Sequence, residues 1–225
     1  MFGFWFFDQG VSLGSITARL AASAMMVIWF LPMHEIVHIW VANSLLGNKF
    51  RLKSVNLQDF FDPIGSICML LFGYGWAKPS HASSLVGSRR EKVLVAIAGP
   101  IFNFVSAILS GIVYNSFLSL SMIIPPFVKW LLQFWIYLLR FNVTVSVINF
   151  LPVPPFDGFQ ILEAFVPKKF LSKFYKNYNI ISLVLVFLVV FGFFDFPLRV
   201  LENALQSSVM LVSGLPFLFF GKILL

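Results

Sequence analysis

Charge is what this 225-residue sequence has least of: Asp, Glu, Lys and Arg together make up 11% of it, against about a quarter in an ordinary soluble domain. So little polar surface excludes a globular body dissolved in water. Hydrophobic residues reach 59% and the mean hydropathy is +0.90, which makes lipid the solvent. Acid is scarcer than base, nine residues against 16, for a net charge of +7. In a membrane protein such an excess marks cytoplasmic loops, so no nucleic-acid partner is expected. The one cysteine, Cys68, excludes an internal disulfide and a cysteine-built zinc site, and it implies no oxidising compartment. The first residues have neither a basic region ahead of an apolar stretch nor a small-residue cleavage signal, and read as mature chain.

Long apolar runs are abundant instead. A helix needs about 20 such residues to cross roughly 30 Å of hydrocarbon. Residues 20–47, 93–116 and 127–151 qualify, as do 178–194 and, interrupted by Gly214 and Pro216, 204–220. Residues 64–77, with Gly65, Gly73 and Gly75, are too short to cross and suit a re-entrant or β-hairpin-like insertion. The expected fold is an all-α polytopic membrane protein of four to six spans with that one insertion. It forms a single domain over 1–225, with a core at 20–166 and further C-terminal membrane helices at 167–225. Charge sets the orientation. Residues 48–92 carry Lys49, Arg51, Lys53, Lys78, Arg89, Arg90 and Lys92, residues 152–177 carry Lys168, Lys169, Lys173 and Lys176, and the loop at 117–126 carries no base. The first two segments are therefore expected on the cytoplasmic side, with the N-terminus outside.

Within the first span stands His34-Glu35-Ile36-Val37-His38. Two histidines four apart lie one helical turn above each other on the same face, so one metal ion can reach both. Glu35, about 100° round the helix, is placed to take a proton from water at the metal. Interhelical hydrogen bonding alone is a poor explanation, because three ionisable residues in five inside an apolar run are costly and by default functional. A catalytic zinc takes three protein ligands and keeps a position for water. The third can come from His81, Asp59, Asp62, Asp157, Glu163, Asp195 or Glu202. Asp157 stands out, because Pro152, Pro154 and Pro155 hold the chain before it extended and Gly158 relieves the backbone after it. Asp62, just before Pro63, reads as a turn closer, and His81 as a solvated loop residue.

HEIVH in a span, followed about 115 residues later by Asn149-Phe150-Leu151-Pro152-Val153-Pro154-Pro155-Phe156-Asp157-Gly158, resembles the site-2 protease family of intramembrane zinc metalloproteases. Asp62-Pro63-Ile64-Gly65, Gly75-Trp76-Ala77-Lys78-Pro79 and Ala98-Gly99-Pro100-Ile101-Phe102-Asn103 are similar to its compact bacterial branch. The resemblance runs from about residue 31 to 162. It departs from the family at Ser80-His81-Ala82-Ser83-Ser84, and neither an inserted peptide-binding domain nor a nucleotide-sensing domain is expected.

The resemblance implies one zinc ion per chain on His34, His38 and Asp157, Glu35 as general base, and Asn149, with Asn103 as a second candidate, holding the substrate backbone or its oxyanion. It implies regulated intramembrane proteolysis in a bacterial inner membrane, with the site towards the cytoplasm. The implied substrates are single-span proteins, some already shortened by another protease. Two rivals stand beside it, a membrane protein that binds or transports metal and an inactive relative that only binds a partner. A transporter would show several ligand clusters or paired repeats, and the sequence has one cluster and no repeat.

Overall fold

The computed structural model describes residues 12–47, 56–119, 125–167, 170–172, 176–177, 180–181, 183–184, 187–188 and 195–220. Among them the architecture is all-helical, without a strand. The chain enters through α1 (Leu13–Met25), where the Ser12 hydroxyl accepts the N–H of Ser15 at 3.2 Å and caps the first turn. It widens into one π turn (Met26–Phe30) and continues as α2 (Leu31–Leu45). In that turn the N–H of Leu31 reaches back five residues to Met26. The change of register immediately precedes Pro32, which has no N–H to give the helix. The result is one continuous run, Leu13–Leu45, of 33 residues.

The expected insertion is part helix and not a β-hairpin: α3 covers Pro63–Phe72. Asp62 caps it by accepting the Gly65 N–H at 2.7 Å, the turn-closing role its place before proline predicts. Gly73, at φ +83°, ends it in the left-handed conformation that favours glycine. Non-helical chain then crosses α3 at Gly65 and Gly75, where a Cβ on either would collide with backbone.

The longest helix, α4 (Arg89–Ser119), packs against α2, α5 (Pro126–Asn149), α6 (Asp157–Phe165) and α7 (Asp195–Phe220). Its polarity is inverted relative to a soluble helix. Asn103, Ser106 and Ser110 are buried, while Ile101, Val105 and Leu109, four residues apart, are exposed. The serines return their hydroxyls to carbonyls four residues back, Ser106 to Phe102 and Ser110 to Ser106, each at 2.8 Å, so neither hydroxyl is left unpaired. Small residues bring α4 to α7. Gly111 abuts Ser213, whose hydroxyl accepts from Asn115 at 3.0 Å.

Three helices among the described residues, Leu13–Leu45, Arg89–Leu118 and Pro126–Asn149, are long and apolar enough to cross a membrane, and the chain reads as an integral membrane protein. The run at 178–194 lies largely outside the described residues. The one at 204–220 falls within α7, which Gly214 and Pro216 do not interrupt.

Candidate metal centre

Where α2, α4 and α6 meet, His34, His38 and Asp157 are 4%, 2% and 4% exposed, far too little for water to solvate any of them. His34 Nε2 lies 2.9 Å from Asp157 Oδ2, and His38 Nε2 lies 3.3 Å from Asp157 Oδ1. Ligand atoms of His34, Glu35 and His38 all lie within 4.8 Å of one another. The carboxylate arrives after Phe150–Phe156, a run of turns in which Val153 N–H bonds the Leu151 carbonyl at 2.8 Å and the Pro154–Pro155 peptide is cis. Asp157 itself is the first residue of α6 and is not part of the extended segment. Gly158 serves close packing and not backbone relief, since a Cβ there would run into the carbonyls of Phe150 and Leu151.

Both imidazoles are held from behind. His38 Nδ1 is 2.6 Å from the Val95 carbonyl oxygen, which can only accept, so Nδ1 carries the proton and Nε2 turns a lone pair inward. His34 Nδ1 is 2.5 Å from Asn103 Oδ1, which gives the same arrangement. Both Nε2 atoms therefore converge on the Asp157 carboxylate, that of His38 at 3.3 Å and outside hydrogen-bond geometry. These contacts with the carboxylate are met either by a second ring proton or by a metal cation among them, and two imidazoles with a carboxylate form a donor set that fits a zinc ion. α4 makes room at Gly99, where a Cβ would stand 2.5 Å from His34 Nε2 and collide with His38 Nε2.

Glu35 stands beside this cluster and is held from another side. Its Oε2 accepts the Ser80 N–H at 2.8 Å, so the stretch where the sequence departs from the family pattern holds the expected base. Ser83 in the same stretch donates to Gln160, whose amide donates to Asp157 Oδ1 at 3.0 Å. A cleft of about 20 Å³, lined by His34, Glu35, Trp76, Asn149 and Asp157 among others, has room for little more than one water. Asn149 reaches it while its amide donates to the Val145 carbonyl at 3.0 Å. Asn103 is fully buried behind His34 and is not among the residues lining the cleft. His81 is exposed, at φ 53°.

Gly99, Asn142, Gln160 and Ser80 are the participants that reading by motif misses. Gln160 had a signal, standing three residues after Asp157 on the same helical face, and Asn142 had one two turns before Asn149. Ser80 contributes only a backbone N–H, which any residue but proline supplies.

Two comparisons bear on this site. The model of peptidase family M50 matches residues 120–191, a stretch that includes Asn149 and Asp157 but not the two histidines. Over 186 residues the chain is 29% identical to "Putative zinc metalloprotease YwhC" of Bacillus subtilis strain 168, covering 79% of this chain and 84% of that protein. No solved structure matches significantly. With the apolar helices, these likenesses support a membrane metalloprotease.

Proposed function

From the likeness to peptidase family M50, we infer that this protein is a zinc-dependent intramembrane endopeptidase of the site-2 type. It hydrolyses a peptide bond within or near the membrane span of another protein. The observation that carries this reading is the convergence of His34 Nε2, His38 Nε2 and Asp157 on one point beside a carboxylate, Glu35, that is held by a backbone N–H. His34, His38 and Asp157 would hold one zinc ion per chain. When bound, zinc supplies Lewis acidity, which makes water easier to deprotonate and a carbonyl easier to attack.

The remaining chemistry belongs to the chain. Ser80 fixes Oε2 of Glu35, and Oε1 is the oxygen available to take a proton from water and deliver it to the leaving amine. Asn149, with a second N–H beyond the one given to Val145, donates to the developing oxyanion. The cleft is far smaller than a peptide, and a membrane helix hides its carbonyls in its own hydrogen bonds. The substrate is therefore a helix that unwinds locally, and the wall around Trp76 must shift to admit it. The expected substrates are single-span membrane proteins, some already shortened, cut towards the cytoplasmic side of a bacterial inner membrane.

Glu35→Gln tests the assignment. The variant is expected to keep about one zinc per chain and to lose about 10²-fold or more in turnover of a reconstituted single-span substrate. Cleavage at the wild-type rate would sink the mechanism, and loss of zinc would make Glu35 a ligand.

A further inference from the structure

Behind His34, away from the cleft, two asparagines lie fully buried between α4 and α5. Asn142, at 0% exposure, donates its Nδ2 to the Leu138 carbonyl at 2.9 Å. Its Oδ1 accepts Asn103 Nδ2 at 2.9 Å, and Asn103 Oδ1, also at 0% exposure, faces His34 Nδ1 at 2.5 Å.

We propose that Asn142 is a positioning residue that sets which nitrogen of His34 is free to bind metal. The direction of every bond in the chain follows from one fixed end. A backbone carbonyl has no proton, so the Leu138 oxygen obliges Asn142 to present Nδ2 to it and Oδ1 to Asn103. That oxygen obliges Asn103 to answer with Nδ2, which turns its own Oδ1 to His34. His34 must then carry its proton on Nδ1, and Nε2 is left as a lone pair pointing at Asp157. An amide is nearly symmetric in shape, so Asn103 alone has no steric reason to choose this orientation over its flip. Flipped, it would offer an N–H to Nδ1 and favour the tautomer protonated on Nε2, which cannot ligate. His38 needs no such device, because a carbonyl, that of Val95, faces its Nδ1 directly. The two ligands are thus set by the same kind of group, one at first hand and one through two amides. Fully desolvated amides on adjoining helices are costly unless every donor is answered, and here the chain of bonds ends on the ligand.

This rests on His34 being a zinc ligand, and the test separates the two ideas. Zinc affinity of the purified full-length protein is measured by chelator competition for wild type, Asn142→Leu, Asn142→Asp, Asn103→Leu, Asn103→Leu/Asn142→Leu and His34→Ala, with the visible spectrum of the cobalt-loaded forms as a second readout.

Asn142→Leu is expected to bind zinc about tenfold or more weakly, the scale on which partners behind a metal ligand act, with an altered cobalt spectrum. Asn142→Asp, fully buried and therefore neutral, can donate its O–H to the Leu138 carbonyl and keep an oxygen towards Asn103, and should stay within about threefold of wild type. In the double variant the loss should not exceed that of Asn103→Leu alone, since Asn142 acts only through Asn103. Wild-type affinity in Asn142→Leu, equal weakness in the Asp and Leu variants, or independent losses that multiply in the double variant would each overturn the proposal. If Asn142→Leu fails to fold, Asn142→Ala carries the same expectation. Full zinc binding by His34→Ala would overturn the ligand assignment itself. Loss of zinc in His34→Ala beside an unaffected Asn142→Leu would remove only the role given to Asn142.

Discussion

Asp157 and Asp62 are both carboxylates at the first turn of a helix, yet they have different work. Asp62 accepts a backbone N–H, that of Gly65, which satisfies an orphan donor at the start of α3. Asp157 faces two imidazole nitrogens and an amide, groups that no helix needs capped. Removing the first should cost about 1 kcal/mol of stability and leave zinc stoichiometry unchanged. Removing the second takes one of the three proposed ligands and should abolish tight zinc binding in a protein that still folds. Metal content of purified Asp157→Ala and Asp62→Ala, with His81→Ala as an exposed control, decides between them. If Asp157→Ala retains zinc while either other variant loses it, the site has been drawn around the wrong residue.

At the scale of elements, the centre exists because α4 comes close enough to α2 for its backbone to lie beside the ligand nitrogens. Gly99 permits that approach, and Pro100, which has no N–H for the carbonyl of Ala96, follows it. Pro100 gives its own carbonyl to the Ser146 hydroxyl of α5 at 2.9 Å, joining the third helix to the same level. Gly99→Ala should therefore act on the metal and not on the helix, whose interior alanine favours. Zinc affinity is expected to fall by about tenfold or more with helix content unchanged. Equal affinity in Gly99→Ala would mean that the histidines yield to the methyl group without loss.

The histidine pair was legible in the sequence because it depends on spacing along one helix, and Asp157 was legible through its proline-rich neighbours and the family resemblance, although it stands on α6 and not on extended chain. The boundaries of the three apolar helices were legible too, to within about seven residues, because hydropathy alone defines them. Gly99, Asn142 and the Ser80 N–H were not, since their meaning lies in what another helix brings against them. A glycine is silent about what occupies the space it leaves. An asparagine in a span advertises a hydrogen bond but not its partner. For the insertion at 64–77, too short to cross, the sequence left re-entrant and β-hairpin-like forms open, and the hairpin form fails because Pro63–Phe72 is a helix with Gly65 as its crossing point.

Over the whole molecule, helix direction and basic charge give an expectation, open to test, for where the centre lies relative to the membrane faces. α4 starts at Arg89 and α5 returns to Asn149, so the basic end of α4, the end of α5 and the start of α6 share one side. Ala42 near the end of α2 packs with Val86 and Val95 around the start of α4, which brings the end of the first span there as well. From Arg89 to Gly99 is ten residues, about 15 Å of helix rise, so the proposed ligands are expected well inside a hydrocarbon layer of roughly 30 Å. Arg89, Arg90 and Lys92 lie at that end, and by the positive-inside rule we propose that it is the cytoplasmic one. In a Cys68→Ser background, single cysteines at Arg89 and Lys176 should react with a membrane-impermeant maleimide only after the cells are opened, and one at Ser119 should react in intact cells. Arg89 and Lys176 on opposite faces would break the shared side on which the placement of Asp157 depends. Reaction of Ser119 only after opening, with Arg89 reactive from outside, would keep the fold and turn the active site to the other face of the membrane.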